Sequence, residues 1–156
     1  MYSIFILAEN IDNFDFDNIP TEYQLFEYLS YSGVDHIYGD TNLDDDVEWC
    51  FKNVYNLKKI EKIDGIYKID KQELIEALKK EKRYKLENVK KLIKDMEHDI
   101  MSVPAWNIAH EIYTKKGFFF YAEGFGIMNE MDMLDDYLQS LKGDNIYILK
   151  SFDYHF

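Results

Sequence analysis

Asp64-Gly65 stands between two short runs, Lys59-Ile60-Glu61-Lys62-Ile63 and Ile66-Tyr67-Lys68-Ile69, in which β-formers are mixed with charged residues. A two-residue Asp-Gly link takes positive φ at both positions, and that backbone matches the twist of paired strands. An Asp-Gly pair between two such runs is a strong short-range hairpin signal. Asp70 follows at once and is placed to cap a helix, with Glu73 three residues on as its capping-box partner. An antiparallel hairpin that runs straight into a helix points to an α+β fold rather than a strict βαβ alternation.

The rest of the chain is consistent with that class. Tyr2 to Ala8 is rich in β-formers and reads as a buried strand, and Glu9 to Ile19 is a polar, acid-rich loop. After Pro20, Thr21 and Gln24 have capping-box spacing, and Leu25, Phe26, Tyr28 and Leu29 give the helix an apolar face that Gly33 can end. A second helix starts near Asn42, with Val47, Cys50, Phe51, Val54 and Tyr55 at helical spacing. Beyond Asp70, Leu74, Ile75 and Leu78 form one face, and Leu86, Val89, Leu92, Ile93, Met96 and Ile100 continue it, as one long helix or two joined near Arg83. Glu76 with Lys80, Glu81 with Lys85, and Glu87 with Lys91 are supporting i,i+4 pairs. Ser102 and Pro104 restart a helix carrying Ala105, Ile108, Ala109 and Ile112, which ends by Gly117. Phe118 to Ala122 reads as a central strand, Asn129 starts a helix with Leu134, Leu138 and Leu141, and Ile146 to Leu149 opens a last strand. The expected architecture is a single compact α+β domain over 1–156. Its mixed or antiparallel sheet has strands near 2–8, 59–63, 66–69, 118–122 and 146–152, packed by about five to six helices.

Length and composition fit that picture. A chain of 156 residues with 47% apolar side chains buries roughly 68–70% of its unfolded surface without staples. Cys50 is the only cysteine, so there is no internal disulfide and a reducing, cytoplasmic setting is expected. The apolar start lacks a basic flank and does not read as a signal peptide, and no apolar run is long enough to span a membrane. Arg83 is the sole arginine, which weighs against direct nucleic-acid binding and against an anionic membrane surface.

The motifs with chemical content are weak. Gly124-Phe125-Gly126 lies between a strand and a helix, as in a dinucleotide loop, but the third glycine position is Asn129 and acids crowd the helix start. Carboxylates there would repel a pyrophosphate, so these glycines are expected in backbone turns. Asp40, Asn42 and Asp44 match the first three ligand positions of a calcium loop, but Asp45 and Phe51 stand where Gly and the bidentate Glu belong. His36, His98, His110 and His155 include no i,i+4 zinc pair, and Cys50 is expected as a small buried hydrophobe. No phosphate-loop or nucleophile-elbow pattern is present. No cofactor and no metal site are expected.

Charge is the remaining clue. Residues 1–56 hold twelve Asp or Glu against one base, Lys52, whereas 57–117 hold eleven acids and fifteen bases. Such asymmetry sets the sign of the field a partner meets. The expected function is an acidic protein-binding module, an inhibitor or immunity-type protein that masks the basic surface of a nuclease, toxin or other nucleic-acid-binding protein, in the manner of a DNA mimic. Its expected contact residues are Asp12, Asp15, Asp17, Asp44, Asp45, Asp46 and Glu48. Some of the 13 Tyr and 11 Phe would then lie on the binding face, where aromatics supply area at low entropic cost. The alternative is a metal-dependent enzyme using Asp15 and Asp17 or Asp44 to Asp46. Self-repulsion among the early acids predicts that the melting temperature rises between about 20 and about 300 mM NaCl, as the Debye length shrinks from about 20 to about 6 Å. A steady fall over that range in a thermal-melt series would show that the acids are already neutralised by pairing.

Overall fold

The computed structural model describes residues 2–12, 14–98, 107–108 and 117–155. Strand β1 is Ser3–Ala8, helix α1 is Glu22–Leu29 and β2 is His36–Tyr38. Helix α2 is Leu43–Val47 and widens into a π-helical stretch, Glu48–Val54. The hairpin is β3, Ile60–Ile63, and β4, Ile66–Asp70, followed by α3, Lys71–His98. Then come β5, Phe118–Ala122, and β6, Gly126–Met128. Helix α4 combines Glu130–Asp132, a π stretch Met133–Tyr137 and Leu138–Ser140, and β7 is Asn145–His155.

All seven strands form one sheet in the order β3-β4-β7-β1-β5-β6, with β2 also on β7. The sheet is mixed, because β1 and β5 are parallel and every other pair is antiparallel. Local chemistry builds most of it. Asp64 and Gly65 both have positive φ between β3 and β4. Thr21 and Gln24 form both bonds of a capping box. Asp70 accepts from the Glu73 N–H at 2.8 Å, but the Glu73 carboxylate does not return the bond. It accepts instead from the N–H groups of Lys58 and Lys59 at 2.9 and 2.8 Å, tying α3 to the chain entering the hairpin.

Three further expectations change. Among the described residues there are four helices, not five to six. No Gly or Pro interrupts 71–98, so α3 passes Arg83 unbroken. The helix expected over Pro104 to Gly117 lies largely outside the described residues, although Asn107 and Ile108 are helical. The Gly124 and Gly126 turn does not lead into a helix. It closes a β5–β6 hairpin with Ala122 opposite Gly126, and both glycines have positive φ, of 81° and 71°. The third change is in α1, where Tyr28 is exposed rather than part of the apolar face formed by Leu25 and Leu29.

The sheet separates two apolar clusters, and β1 serves both. Phe5 and Leu7 face a layer made by α2, α3 and α4, with Val47, Phe51, Leu74, Leu78, Met133 and Leu138. Ile4, Ile6 and Ala8 face the other side, covered by Leu25 and Leu29 of α1 with Val34 and Ile37. Aromatics concentrate in the first cluster, where the Phe5 and Phe51 rings meet edge to face at 4.9 Å. Gly124 has no neighbour within 4 Å of a built Cβ, and neither has Gly143, which lacks a positive φ. Gly124→Ala should therefore cost about 1–2 kcal/mol by left-handed strain alone, while Gly143→Ala should be near neutral in the same denaturant titration. Equal costs would remove φ as the reason for glycine at 124.

Candidate interaction surface

The acids at the start of α2 are not equivalent. Asn42 caps the helix by accepting from the Asp44 N–H at 3.1 Å, and its amide donates to Asp45 at 2.8 Å. Asp44 is exposed but engaged, because Lys62 Nζ donates to both its oxygens at 2.6 and 2.7 Å and the Tyr67 hydroxyl donates at 2.8 Å. Those bonds, Lys62 first and Tyr67 next, hold its carboxyl below the ordinary aspartate range. Burial and then the Asp44 bond push the Tyr67 hydroxyl up to about 12. Glu48 accepts from Lys52 at 2.7 Å. Asp46 is only 2% exposed, so it does not share the outer face expected for it. Its Oδ2 has no hydrogen-bond partner among the described residues. Burial raises its pKa, the Ser151 hydroxyl bond opposes that, and Asp153 and Asp45 add to it.

Asp12, Asp15 and Asp17 lie elsewhere. The Asp12 N–H donates to Asn10 at 2.9 Å, and Asp15 caps a single 3₁₀ turn, Phe16–Asn18, by accepting from the Asp17 N–H at 3.0 Å. Ile11, Phe14 and Ile19 of this loop pack on the cluster beneath α1, whereas Leu43 and Val47 of α2 pack on the opposite one. The sheet therefore stands between the two acidic segments, and they do not form one continuous face.

The α1 side carries what the α2 side lacks. Phe16, Tyr23, Tyr28 and Tyr31 are exposed, Tyr31 at 97%. They alternate in sequence with Asp15, Asp17, Glu22 and Glu27, all exposed and all before the first base, Lys52. Glu22 is held by the Gly39 N–H at 2.6 Å, which fixes the α1–β2 corner. A bond with Glu27, and then its charge, raise the Tyr23 hydroxyl pKa. A shallow groove beside this helix is lined by Phe16, Pro20, Thr21 and Tyr23 together with Lys150. Of these tyrosines the sequence singles out Tyr28 alone, and for the apolar face, although Tyr23 and Tyr31 already fall off the Leu25 and Leu29 face.

Other reactive groups are placed structurally. Cys50 is buried in the first core cluster, and His36 and His155 flank Tyr38 on exposed strand ends. The His98 side chain and His110 lie outside the described residues. Glu130 is buried and accepts from Tyr55 and Lys85, each at 2.5 Å, joining α4 to α2 and α3. Among the described residues, no three His, Cys, Asp or Glu come together to hold a metal ion, and Asp15 and Asp17 lie across the sheet from Asp44 to Asp46. No helix among the described residues is long and apolar enough to cross a membrane.

The two adjacent aspartates predict opposite pH behaviour. A raised native pKa means that Asp46 contributes most below the ordinary carboxylate value of about 3.9 and loses that contribution as pH rises through its raised value. Asp46→Asn should therefore be more stable than the parent at neutral pH, with the difference vanishing near pH 3 or so. A lowered native pKa gives Asp44 a contribution present at neutral pH and lost as pH falls, so Asp44→Asn should destabilise at neutral pH and converge with the parent in acid. Urea titrations at both pH values check the signs.

Comparison with protein-family models, with curated proteins and with solved structures gives no match.

Proposed function

We propose that this chain is an acidic protein-binding module that masks the basic surface of a nuclease or other nucleic-acid-binding protein, as an inhibitor or immunity-type protein does. One observation carries the proposal. The outer side of α1 and the loop before it offers exposed Phe16, Tyr23, Tyr28 and Tyr31 among Asp15, Asp17, Glu22 and Glu27, in a stretch with no Lys or Arg before Lys52. Aromatic anchors supply buried contact area, and the surrounding carboxylates select a positive partner and speed its approach. A surface that holds phosphate is positive, so carboxylates compete for it. The α2 acids contribute less, because Asp44 and Glu48 are already paired with Lys62 and Lys52 and Asp46 is buried.

The test begins with capture of a basic partner from the cells that make the chain, followed by stopped-flow association of the purified pair over a range of NaCl concentrations. Combining Asp17→Asn, Glu27→Gln and Tyr31→Ala should slow association about 3- to 10-fold at low salt and flatten its salt dependence. Asp45→Asn with Glu48→Gln should change the rate less. If the α1 variant associates at the parent rate at every salt concentration, the acids serve only solubility and the proposal fails.

A further inference from the structure

The parallel neighbours β1 and β5 end side by side, at Leu7-Ala8 and Ala122, and their chains then diverge. One continues into Glu9 and Asn10, the other into the Gly124 turn. Divergence of this kind opens a crevice at strand carboxyl ends. Here the crevice is a cleft of about 170 Å³. Leu7, Ala122 and Leu141 line its apolar part, Phe14, Phe125 and Tyr137 add rings, and Glu9 and Glu123 add carboxylates. The Phe125 and Tyr137 rings meet edge to face at 5.2 Å.

Tyr137 makes this more than a dent. It ends the π stretch of α4, a wide turn often found at functional sites. It is 3% exposed, yet its hydroxyl has no hydrogen-bond partner among the described residues. A buried hydroxyl in that state is unfavourable until something bonds to it. Burial first, then the Glu9 charge, keep that hydroxyl protonated. Glu9 is fixed in place, because its Oε1 accepts from the backbone N–H groups of Lys142 and Gly143 at 2.8 and 3.3 Å. Glu123 is exposed at the mouth. An adjoining groove is lined by Glu9, Asn10, Asp144 and Tyr147.

The lining selects the ligand. Among the described residues no Lys, Arg or His lines the cleft, so an anion would meet carboxylates there and be repelled. An apolar molecule would leave the Tyr137 hydroxyl unmatched and would drive carboxylates out of water. A divalent metal lacks its oxygen cage among the described residues. An organic cation suits the rings, the carboxylates and the lone pairs of the phenol: the rings attract its charge, the carboxylates neutralise it, and the phenol oxygen accepts its N–H. The volume admits a group somewhat larger than benzene, which fills a cavity of about 150 Å³. We propose that this cleft binds the ammonium or guanidinium end of an organic cation on a short apolar stem, whether a free small molecule or a Lys or Arg side chain. The cleft is lined by none of the α1 residues offered above as a protein-binding face, so either assignment can fail alone.

The test titrates the full chain with n-butylammonium, n-propylguanidinium, the peptide N-acetyl-Ala-Arg-Ala-amide and neutral 1-pentanol, following aromatic and methyl NMR signals of Phe125, Tyr137 and Leu141. The cations should shift these signals saturably, with dissociation constants on the order of millimolar for probes this small, and 1-pentanol should bind about tenfold more weakly. Glu123→Gln should weaken the cations about threefold and leave 1-pentanol unchanged. Tyr137→Phe should weaken the guanidinium probe by about the same factor. A peptide that binds more tightly than n-propylguanidinium marks a side chain as the source, and one that binds more weakly marks a free small molecule. No saturable shift with the cations, equal binding of 1-pentanol, or unchanged cation binding in Glu123→Gln would each overturn the assignment.

Discussion

Strand β7 is the member on which the rest of the sheet depends. One edge pairs with β1 from Tyr147 to Asp153. The other pairs with β4 from Asn145 to Ile148 and with β2 from Asp153 to His155. Between those two partners the edge would present bare polar backbone in a buried place, which is costly. The chain fills that gap with the start of α2. Thr41 donates its hydroxyl to the Ser151 carbonyl at 2.8 Å and lies 2.9 Å from the Ser151 hydroxyl, while Asp46 also bonds that hydroxyl. One acidic residue, Asp46, thereby lies in the interior beside the sheet edge.

The same geometry decides where charge remains uncompensated. Bases of the middle block are spent on acids of the α2, α3 and α4 layer. Lys62 reaches Asp44, Lys82 reaches Asp135, and Lys85 reaches Glu130 in the interior. Exposed pairs of this kind contribute little stability individually, usually 0–1 kcal/mol by rough measure, but they cancel field. Across the sheet, the α1 layer comes from a stretch with no base of its own. The exposed tyrosines there alternate in sequence with carboxylates, beside a groove that Lys150 also lines.

Much of the fold was legible because its determinants are local. The Asp64-Gly65 turn, the Thr21 and Gln24 box and the β-forming run Phe118 to Ala122 each act within a few residues, and each appears where expected. β2 and β6 were not legible. β2 has one buried residue, Ile37, and exists because β7 offers it an edge. β6 begins at Gly126, which discourages a strand until the Gly124 turn folds it back on β5. The π stretches of α2 and α4 gave no sequence signal, since their apolar spacing resembles that of an ordinary helix.

The sequence by itself determined the class of the fold, its turns and caps, the burial of Cys50 and the pile-up of acids before Lys52, because these follow from residue type and short spacing. Only the tertiary structure decided which acids face solvent. Asp44, Asp45 and Asp46 are adjacent and chemically identical, yet one is clamped by Lys62 and Tyr67, one bonds the capping Asn42, and one is buried against Ser151. Successive residues of a helix point about 100° apart, so their neighbours come from different elements. Likewise, nothing near Tyr137 in the chain foretells an unpartnered hydroxyl at the ends of β1 and β5, because that cleft exists only once two strands more than a hundred residues apart lie side by side.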